Sequence, residues 1–372
     1  MSETVPAIIK NLDTYRDQIA AAKEQYLANL VMTGEIPAPT GGEERRTAFL
    51  LDRYNEIGLQ DYARDEVGNA MGIVQGRDGD DNILVVSHLD TIYAETEDHT
   101  VDIEPGRVIG RGLTDNTLGV AALISPPGLL ETLGIRLRSN LILLGATGSL
   151  GRGNLAGIRF FLGNNQRPLR AGVCVEGVRL GRLNVSSIGM LRGEIHCTVP
   201  DEYDWSRFGA TGAVITLNEV INRIMAIPLP TRPRTTIVFG SIEGGSGYSV
   251  IPTESVLRFE IRSESAEIVE DVSKQIHDIA EEVSAQTKGA VNVDIFAQRL
   301  PGGLPFGHPL VAASRAVMEA LGVQHRIGPS TSELAALIDA GVPAVTLGLT
   351  RSTRTSGSVD RVEIDPIFTG LA

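Results

Sequence analysis

The stretch ILVVSHLD, residues 83–90, places two potential metal-binding side chains directly after a short apolar run. The four apolar residues 83–86 are typical of a strand that is buried on both faces, and His88 and Asp90 follow at its carboxyl end. Ligands of open α/β sheets bind outside the carboxyl ends of parallel strands. This stretch therefore predicts a doubly covered sheet with a site at its edge.

Three further apolar runs repeat this pattern, at residues 141–144, 172–175 and 344–347. Ser149 and Leu150 follow the first of them, and Glu176 ends the second. Helical patterns lie between most of the runs, which is typical of an α/β domain with a mostly parallel sheet. We therefore expect the candidate side chains to meet at one edge of this sheet.

A different pattern occupies the middle of the chain. Residues 192–199, 213–227, 235–242, 256–262, 266–285 and 290–296 alternate as strand, helix, strand, strand, helix and strand, the order of a split βαβ (ferredoxin-like) domain. We predict a discontinuous catalytic-type domain at residues 1–188 and 299–372, with an inserted α+β domain at residues 189–298.

Composition excludes some classes of partner. The net charge of −13 disfavours nucleic acid and anionic membranes, because a phosphate backbone requires a basic surface. No apolar run approaches the roughly 20 residues that a membrane helix needs. The beginning of the chain lacks the features of an export signal, so a cytoplasmic protein is expected.

Imidazole and carboxylate groups at these positions suggest a zinc site. Asp115 lies in a glycine-rich turn that leads into an apolar helix. His88, Asp115 and Glu176 form a reasonable ligand set, because catalytic zinc sites use three protein ligands and leave one position open. Asp90 would orient the ring of His88 from behind. A lone His-x-Asp is a weak motif, so the prediction depends on all of these segments together.

At these residues the chain resembles the co-catalytic zinc exopeptidases and deacylases, a family that includes carboxypeptidase G, acetylornithine deacetylase, aminoacylase and tripeptidase T. The resemblance covers nearly the whole chain and rests on the order and spacing of several short stretches. They are residues 88–90, 110–115, 153–157, 176–177, 244–246, 251–252, 261–263, 341–344 and 362–365.

The resemblance implies roles for the matching positions. His88, Asp115 and Glu176 would bind one metal ion, Asp115 would bridge to a second ion, and Asp90 would be the supporting aspartate. The implied fold is an α/β catalytic domain with an inserted lid, through which members commonly form homodimers.

The resemblance also shows where this chain has other residues than the family expects. The family expects two adjacent glutamates, a general base and a ligand of the second metal, where this chain has Ser149 and Leu150. It also expects a histidine near Ser356, and the last histidine of this chain is His325. Ser149 as the nucleophile of a Ser-His-Asp triad is disfavoured, because residues 148–151 lack the Gly-x-Ser-x-Gly elbow.

The lid also differs from the family pattern. Tyr203 stands where a histidine is expected to stabilise an oxyanion, and a tyrosine hydroxyl still donates a hydrogen bond. Ser249 replaces an expected asparagine. Arg262 is retained, and either a substrate carboxylate or a structural ion pair accounts for it.

Two functions stay open at this stage. In the first, the chain is a metallohydrolase that uses one zinc, manganese or cobalt ion on small peptides or N-acyl amino acids, with ordinary two-zinc hydrolysis lost. In the second, it is a non-catalytic relative that holds no metal and binds a small ligand or a protein partner between lid and core.

Overall fold

The computed structural model describes residues 8–79, 81–200, 212–287, 289–354 and 359–372. The chain divides into two compact units. The larger unit comprises Met1–Ser187 and Gly303–Ala372, and the inserted unit comprises Ile188–Gly302.

The larger unit contains helices and strands in alternation. Its helices are α1 (Leu12–Ala21), α2 (Lys23–Gly34), α3 (Glu44–Glu56), α4 (Leu118–Ile124), α5 (Pro126–Thr132), α6 (Ala156–Asn164), α9 (Pro309–Ala320), α10 (Glu333–Asp339) and α11 (Asp365–Leu371). Its strands are β1 (Asp61–Arg64), β2 (Ala70–Val74), β3 (Asn82–His88), β4 (Asp102–Glu104), β5 (Arg107–Gly110), β6 (Asn140–Ala146), β7 (Leu169–Val178), β8 (Arg182–Ser187), β13 (Gly302–Gly303), β14 (Arg326–Ser330), β15 (Ala344–Thr350), β16 (Ser352–Arg354) and β17 (Asp360–Glu363).

The main sheet of this unit has the strand order β1-β2-β6-β3-β7-β15-β8-β13, and β14 pairs with β8. Strands β6, β3, β7 and β15 run parallel to one another. These are the four apolar runs of the sequence. They are buried because helices cover the sheet on both faces, so the predicted α/β class with a mostly parallel sheet is confirmed.

A small antiparallel sheet of order β16-β17-β5-β4 completes the larger unit. Val108 of β5 and Val362 of β17 are opposed in its register and join an apolar cluster with α2, α4 and α11. The chain leaves this sheet at Gly110 and enters the turn that carries Asp115. The small sheet therefore fixes the approach to that turn.

The inserted unit follows the predicted order of elements. It contains β9 (Gly189–Thr198), α7 (Ala213–Met225), β10 (Thr235–Gly244), β11 (Glu254–Ser263), α8 (Ala266–Thr287) and β12 (Ala290–Arg299). Its antiparallel sheet has the order β10-β11-β9-β12, and both helices share one apolar core with it. The prediction of a separate α+β domain is confirmed in its architecture.

The first helical segment is divided in the structure. The apolar spacing of residues 12–33 indicates one helix, whereas α1 and α2 are separated at Ala22. There the N–H of Ala22 donates to the backbone oxygen of Ile19, three residues back, so the last turn of α1 tightens and the helix ends.

None of the described helices combines the length and apolarity that a bilayer span requires.

Core packing in the main sheet predicts a measurable contrast between two isoleucines. Ile142 of β6 is 0% exposed and Ile103 of β4 is 53% exposed. Ile142→Ala should lower the free energy of unfolding by about 2–5 kcal/mol, because it leaves a cavity, and Ile103→Ala by less than about 1 kcal/mol. Urea titration followed by circular dichroism measures both. Equal losses would contradict the described packing.

Candidate metal centre

The structure brings His88, Asp115 and Glu176 together. One potential ligand atom from each lies within 4.8 Å of the other two. His88 ends β3, Glu176 lies near the end of the parallel neighbour β7, and Asp115 lies in the turn before α4. These positions agree with the rule that sites form at the carboxyl ends of parallel strands.

The ring of His88 is held at both nitrogens. Its Nδ1 lies 3.0 Å from the backbone oxygen of Asp90 and 3.2 Å from the carboxylate Oδ1. Its Nε2 lies 3.0 Å from Oδ1 of Asp115. Burial acts to lower the pKa of His88, but the bonds to Asp115 and Asp90 outweigh it and hold that pKa well above its usual value. Since both atoms facing Nδ1 are acceptors, Nδ1 carries a proton and Nε2 is directed at Asp115.

Asp90 is fully buried and is satisfied by four groups. Its Oδ2 accepts hydrogen bonds from the Thr40 hydroxyl at 2.8 Å and from the backbone N–H groups of Ser149 at 3.1 Å and Leu150 at 2.8 Å. Burial acts to raise the pKa of Asp90, and these bonds together with that to His88 lower it overall. Asp90 is thus a fixed carboxylate behind the ring.

A tight turn delivers Asp115 to the site. The turn spans Leu113–Thr117 and begins after Gly112, whose φ of 67° lies in the left-handed region that favours glycine. The backbone oxygen of Thr114 approaches Gly177 so closely that a Cβ there would lie 2.8 Å from it. Glycine at both positions lets the turn pack against the end of β7. The Asp115 side chain stays 51% exposed, so it is accessible to a ligand.

The carboxamide of Asn116 joins this turn to both strands. Its Nδ2 donates to the hydroxyl of Ser87 at 2.8 Å and to the backbone oxygen of Val175 at 2.7 Å. Its Oδ1 accepts from the N–H of Gly177 at 2.8 Å. Asn116 is buried, so these bonds are shielded from water and fix the three segments relative to one another.

Glu176 is a buried acid with a strongly perturbed titration. Burial raises its pKa to about 7, with His88 and Arg182 acting in the opposite direction. A guanidinium nitrogen of Arg182 on β8 lies 3.4 Å from Oε2 of Glu176. A cation at the site would favour the ionised form of Glu176 in the same way.

Ser149 and Leu150 lie next to the site because Asp90 binds their backbone. Glu43 anchors the start of their loop by accepting the N–H of Gly148 at 2.9 Å. The Ser149 hydroxyl is buried and has no hydrogen-bond partner among the described residues. A leucine side chain offers no donor atom to a metal, so neither residue supplies a carboxylate here.

The other predicted site residues belong to the inserted unit or lie outside the described residues. The Nε of Arg262 donates to Oε1 of Glu260, which is the structural ion pair considered above, and its side chain is partly exposed. Ser249 lies in an exposed loop with a φ of 64°. Tyr203 and Ser356 lie outside the described residues.

Sequence reasoning missed two of the supporting residues. Asn116 carries no signal beyond its position after Asp115. Arg46 of α3 is buried, and its Nε and Nη1 each donate at 2.9 Å, to the backbone oxygens of Ile36 and Leu89. Burial lowers the pKa of Arg46 to about 10, and Asp90 opposes that shift. Its place in an amphipathic helix gives no hint that it is buried beside the site.

The donor set fits a zinc-type ion. One imidazole nitrogen and two carboxylate oxygens are typical ligands of catalytic zinc. Two donors of a tetrahedral zinc ion lie about 3.3 Å apart when each bond is about 2.0 Å. The 3.0 Å between His88 and Asp115 is close to that spacing, so an ion that replaces their shared proton requires only a small adjustment.

Residues 206–288 match the sequence model of the M20 peptidase dimerisation domain. A LysW-lysine/LysW-ornithine hydrolase of Pyrococcus abyssi is 34% identical over 102 residues, which is 27% of this chain and 28% of that relative. The chain therefore spans less than a third of the length of that curated relative.

Similarity to solved structures covers almost the whole chain. The di-peptidase Dug1p of Saccharomyces cerevisiae gives a TM-score of 0.79 at 14% identity, over 97% of this chain and 96% of that one. A dinuclear metal-binding M20 peptidase of Bacillus subtilis gives 0.63 at 14% identity, over 95% and 98%. At such identities the likeness shows the fold. Together with the match of residues 206–288 to the dimerisation-domain model, it shows that the chain has the fold of the M20 peptidases, as the sequence predicts.

Proposed function

We propose that this chain is a metal-dependent hydrolase that binds one divalent ion through His88, Asp115 and Glu176 and acts on small peptides or N-acyl amino acids. The observation that carries the proposal is the convergence of these three donors within 4.8 Å. The substrate class is inferred from relatives, because Dug1p is described as a di-peptidase and the Pyrococcus protein as a hydrolase of LysW-linked lysine or ornithine.

The roles of the residues follow from their contacts. A zinc-type ion held at this site supplies a Lewis acid for an amide carbonyl and for a water molecule. Asp90 keeps the proton of His88 on Nδ1, so that Nε2 is free to bind. Asp115 is the exposed member of the set and is therefore accessible from solvent.

Loss of the second ion is part of the proposal. The B. subtilis relative is described as dinuclear, whereas Ser149 and Leu150 beside Asp90 offer no carboxylate. The missing glutamates include the general base, whose contribution to rate is typically ~10²–10⁴-fold. We therefore infer slow hydrolysis with one ion rather than ordinary two-zinc turnover.

A non-catalytic binding protein is the second candidate, and the buried Ser149 hydroxyl is the observation that favours it. That hydroxyl has no base beside it among its described contacts, so it neither attacks a carbonyl nor removes a proton from water. In this alternative the chain binds a small ligand or protein without turnover. Metal content and turnover together separate the two candidates.

We further propose a homodimer formed through the inserted unit, which matches a dimerisation domain. Strand β10 is an edge of the four-stranded sheet, and an unpaired edge is a template for pairing with another chain. Large apolar residues are exposed there and on the first turn of α7: Val238 and Ile242 on β10, and Val214 and Ile215 on α7. Val214 lies close to Gly244, so the two groups are adjacent.

Removing the histidine ligand tests the metal site. After purification without chelator, the wild type should contain about one zinc or manganese ion per chain, and His88→Ala should weaken binding by at least about 100-fold. Elemental analysis and isothermal titration with Zn²⁺ or Mn²⁺ measure this. His277→Ala in α8 is the matched control and should bind normally. Unchanged metal binding in His88→Ala would refute the site. A wild type that binds no metal and turns over no substrate would favour the non-catalytic candidate.

Restoring the replaced residues tests the assignment of the second site. The triple variant Ser149→Glu, Leu150→Glu and Ser356→His should raise metal content from about one toward about two ions per chain, because it returns the missing ligands. Dipeptide hydrolysis should rise with it, by on the order of 10²-fold or more once the base is present. Metal content that stays at one would show that these positions are wrongly aligned with the family.

A charge on the exposed strand tests the dimer. Ile242 is 57% exposed in the single chain, and Ile242→Lys should shift the protein from dimer to monomer by burying an unpaired ammonium group. Light scattering after size-exclusion chromatography reports the mass. Ile103→Lys, an equally exposed position in the larger unit, is the control. A dimer that persists in Ile242→Lys would place the interface elsewhere.

A further inference from the structure

The larger unit contains a cavity of about 200 Å³ that is separate from the candidate metal centre. Side chains of α1, α2, α4, α5 and α11 form most of its lining, and none of them belongs to the three-donor group or to the residues that support that group. The volume exceeds the roughly 150 Å³ of an engineered protein cavity that holds one benzene molecule. The space is therefore large enough for a compact organic molecule.

The inner wall of this cavity is apolar. Ile19 of α1, Tyr26 of α2, Ile124 of α4 and Phe368 of α11 line it, and each is at most 4% exposed. The rings of Tyr26 and Phe368 meet edge to face, with their centroids 6.1 Å apart. The hydroxyl of Tyr26 donates to the backbone oxygen of Leu118 at 2.9 Å, so the residue presents mainly the apolar surface of its ring. Such a wall favours a ligand with an apolar body, which gains free energy by leaving water.

One buried carboxamide lines the same cavity. Asn29 of α2 is 7% exposed. Its backbone oxygen accepts from the hydroxyl of Thr33, but its side chain makes no hydrogen bond to the residues that the structure describes. A carboxamide offers two N–H donors and one acceptor oxygen, and burying these groups without partners is unfavourable. Asn29 therefore presents an unused hydrogen-bonding group to a molecule that enters the cavity.

The other polar side chains of the lining are engaged or lie at its rim. The hydroxyls of Ser125 and Thr132 each donate to a backbone oxygen four residues earlier in the chain. Gln25 and Glu131 are exposed, which places them where the cavity meets solvent. Recognition of a buried polar group on a ligand consequently falls to Asn29.

The charge of the lining selects against ions. Among the described residues that line the cavity there is no lysine, arginine or histidine, and its one carboxylate, Glu131, is exposed. An ionised group that enters an apolar site without a partner is strongly disfavoured, so the occupant should be neutral. A neutral amide matches Asn29 best, because it carries a donor and an acceptor on one planar group and forms two N–H···O bonds with a second carboxamide.

We propose that this cavity is a binding site for a compact, neutral carboxamide with an apolar body, whose amide group pairs with the side chain of Asn29. The inference goes beyond the proposed function and does not depend on it, because no residue of the metal centre takes part. Benzamide is the simplest probe, since its ring matches the apolar wall and its amide matches Asn29.

Titration of the full chain with benzamide tests the site. Isothermal titration calorimetry should show one saturable site per chain with a Kd on the order of 1 mM or lower, and removal of metal with EDTA should leave that Kd unchanged. Benzoate has a similar shape but carries a negative charge, so it should bind at least about tenfold more weakly. The inference is wrong if benzamide shows no saturable binding, if EDTA abolishes its binding, or if benzoate binds as tightly.

A variant of Asn29 tests the pairing of the two amides. Asn29→Leu keeps the approximate size of the side chain and removes its hydrogen-bonding group, so benzamide should bind on the order of tenfold more weakly. Toluene, which lacks the amide, should bind the variant at least as tightly as the wild type. The Tm should stay the same or rise, because the carboxamide that is lost has no partner among the described residues. Asn164→Leu, at the exposed end of α6, is the matched control and should bind benzamide normally.

Three results with Asn29→Leu would overturn the inference. An unchanged affinity for benzamide would place its binding elsewhere on the protein. Equal weakening of benzamide and toluene would show that the substitution obstructs the cavity without removing a specific bond. A Tm well below that of the wild type would assign the carboxamide to the stability of the fold.

Discussion

The hydrogen bonds of one buried carboxamide hold the candidate metal centre together. Asn116 donates to Ser87 and to the backbone of Val175, and it accepts from the N–H of Gly177. Buried polar networks of this kind specify one arrangement, because each broken bond leaves an unsatisfied group in a medium of low dielectric constant. The ends of β3 and β7 and the turn between β5 and α4 are consequently fixed before any ligand arrives.

This fixed geometry brings carboxylate groups close together, and a cation would offset their negative charge. Asp115 and Glu176 converge on His88. Burial raises the pKa of Glu176 to about 7, and the hydrogen bonds to Asp115 and Asp90 hold the pKa of His88 well above its usual value. A divalent ion would substitute for the protons on these groups, which links the packing of the sheet to the proposed chemistry.

Much of this fold can be predicted from the sequence, and the reasons are physical. Strands β3, β6, β7 and β15 are buried on both faces, so they appear as uninterrupted apolar runs, and the residues after them meet at one sheet edge. The buried Glu333, in the first turn of α10, gives no such signal, because an acid there is ordinary and its burial depends on tertiary packing. The contacts of Asn116 and Arg46 also join segments far apart in the chain, and no local pattern encodes them.

If the proposed function holds, the loop that follows β6 accounts for how one half of a two-metal site persists without the other. The loop supports His88 through Asp90, which accepts hydrogen bonds from the backbone N–H groups of Ser149 and Leu150. These bonds do not depend on the side chains at the two positions. The contribution of the loop to a second ion and to proton transfer would require side-chain carboxylates. On the proposed assignment, replacing the glutamates would therefore remove the second contribution and leave the first intact. Orientation of the imidazole and loss of the general base would be compatible in one protein, which is the combination that the proposed slow, single-ion hydrolase requires.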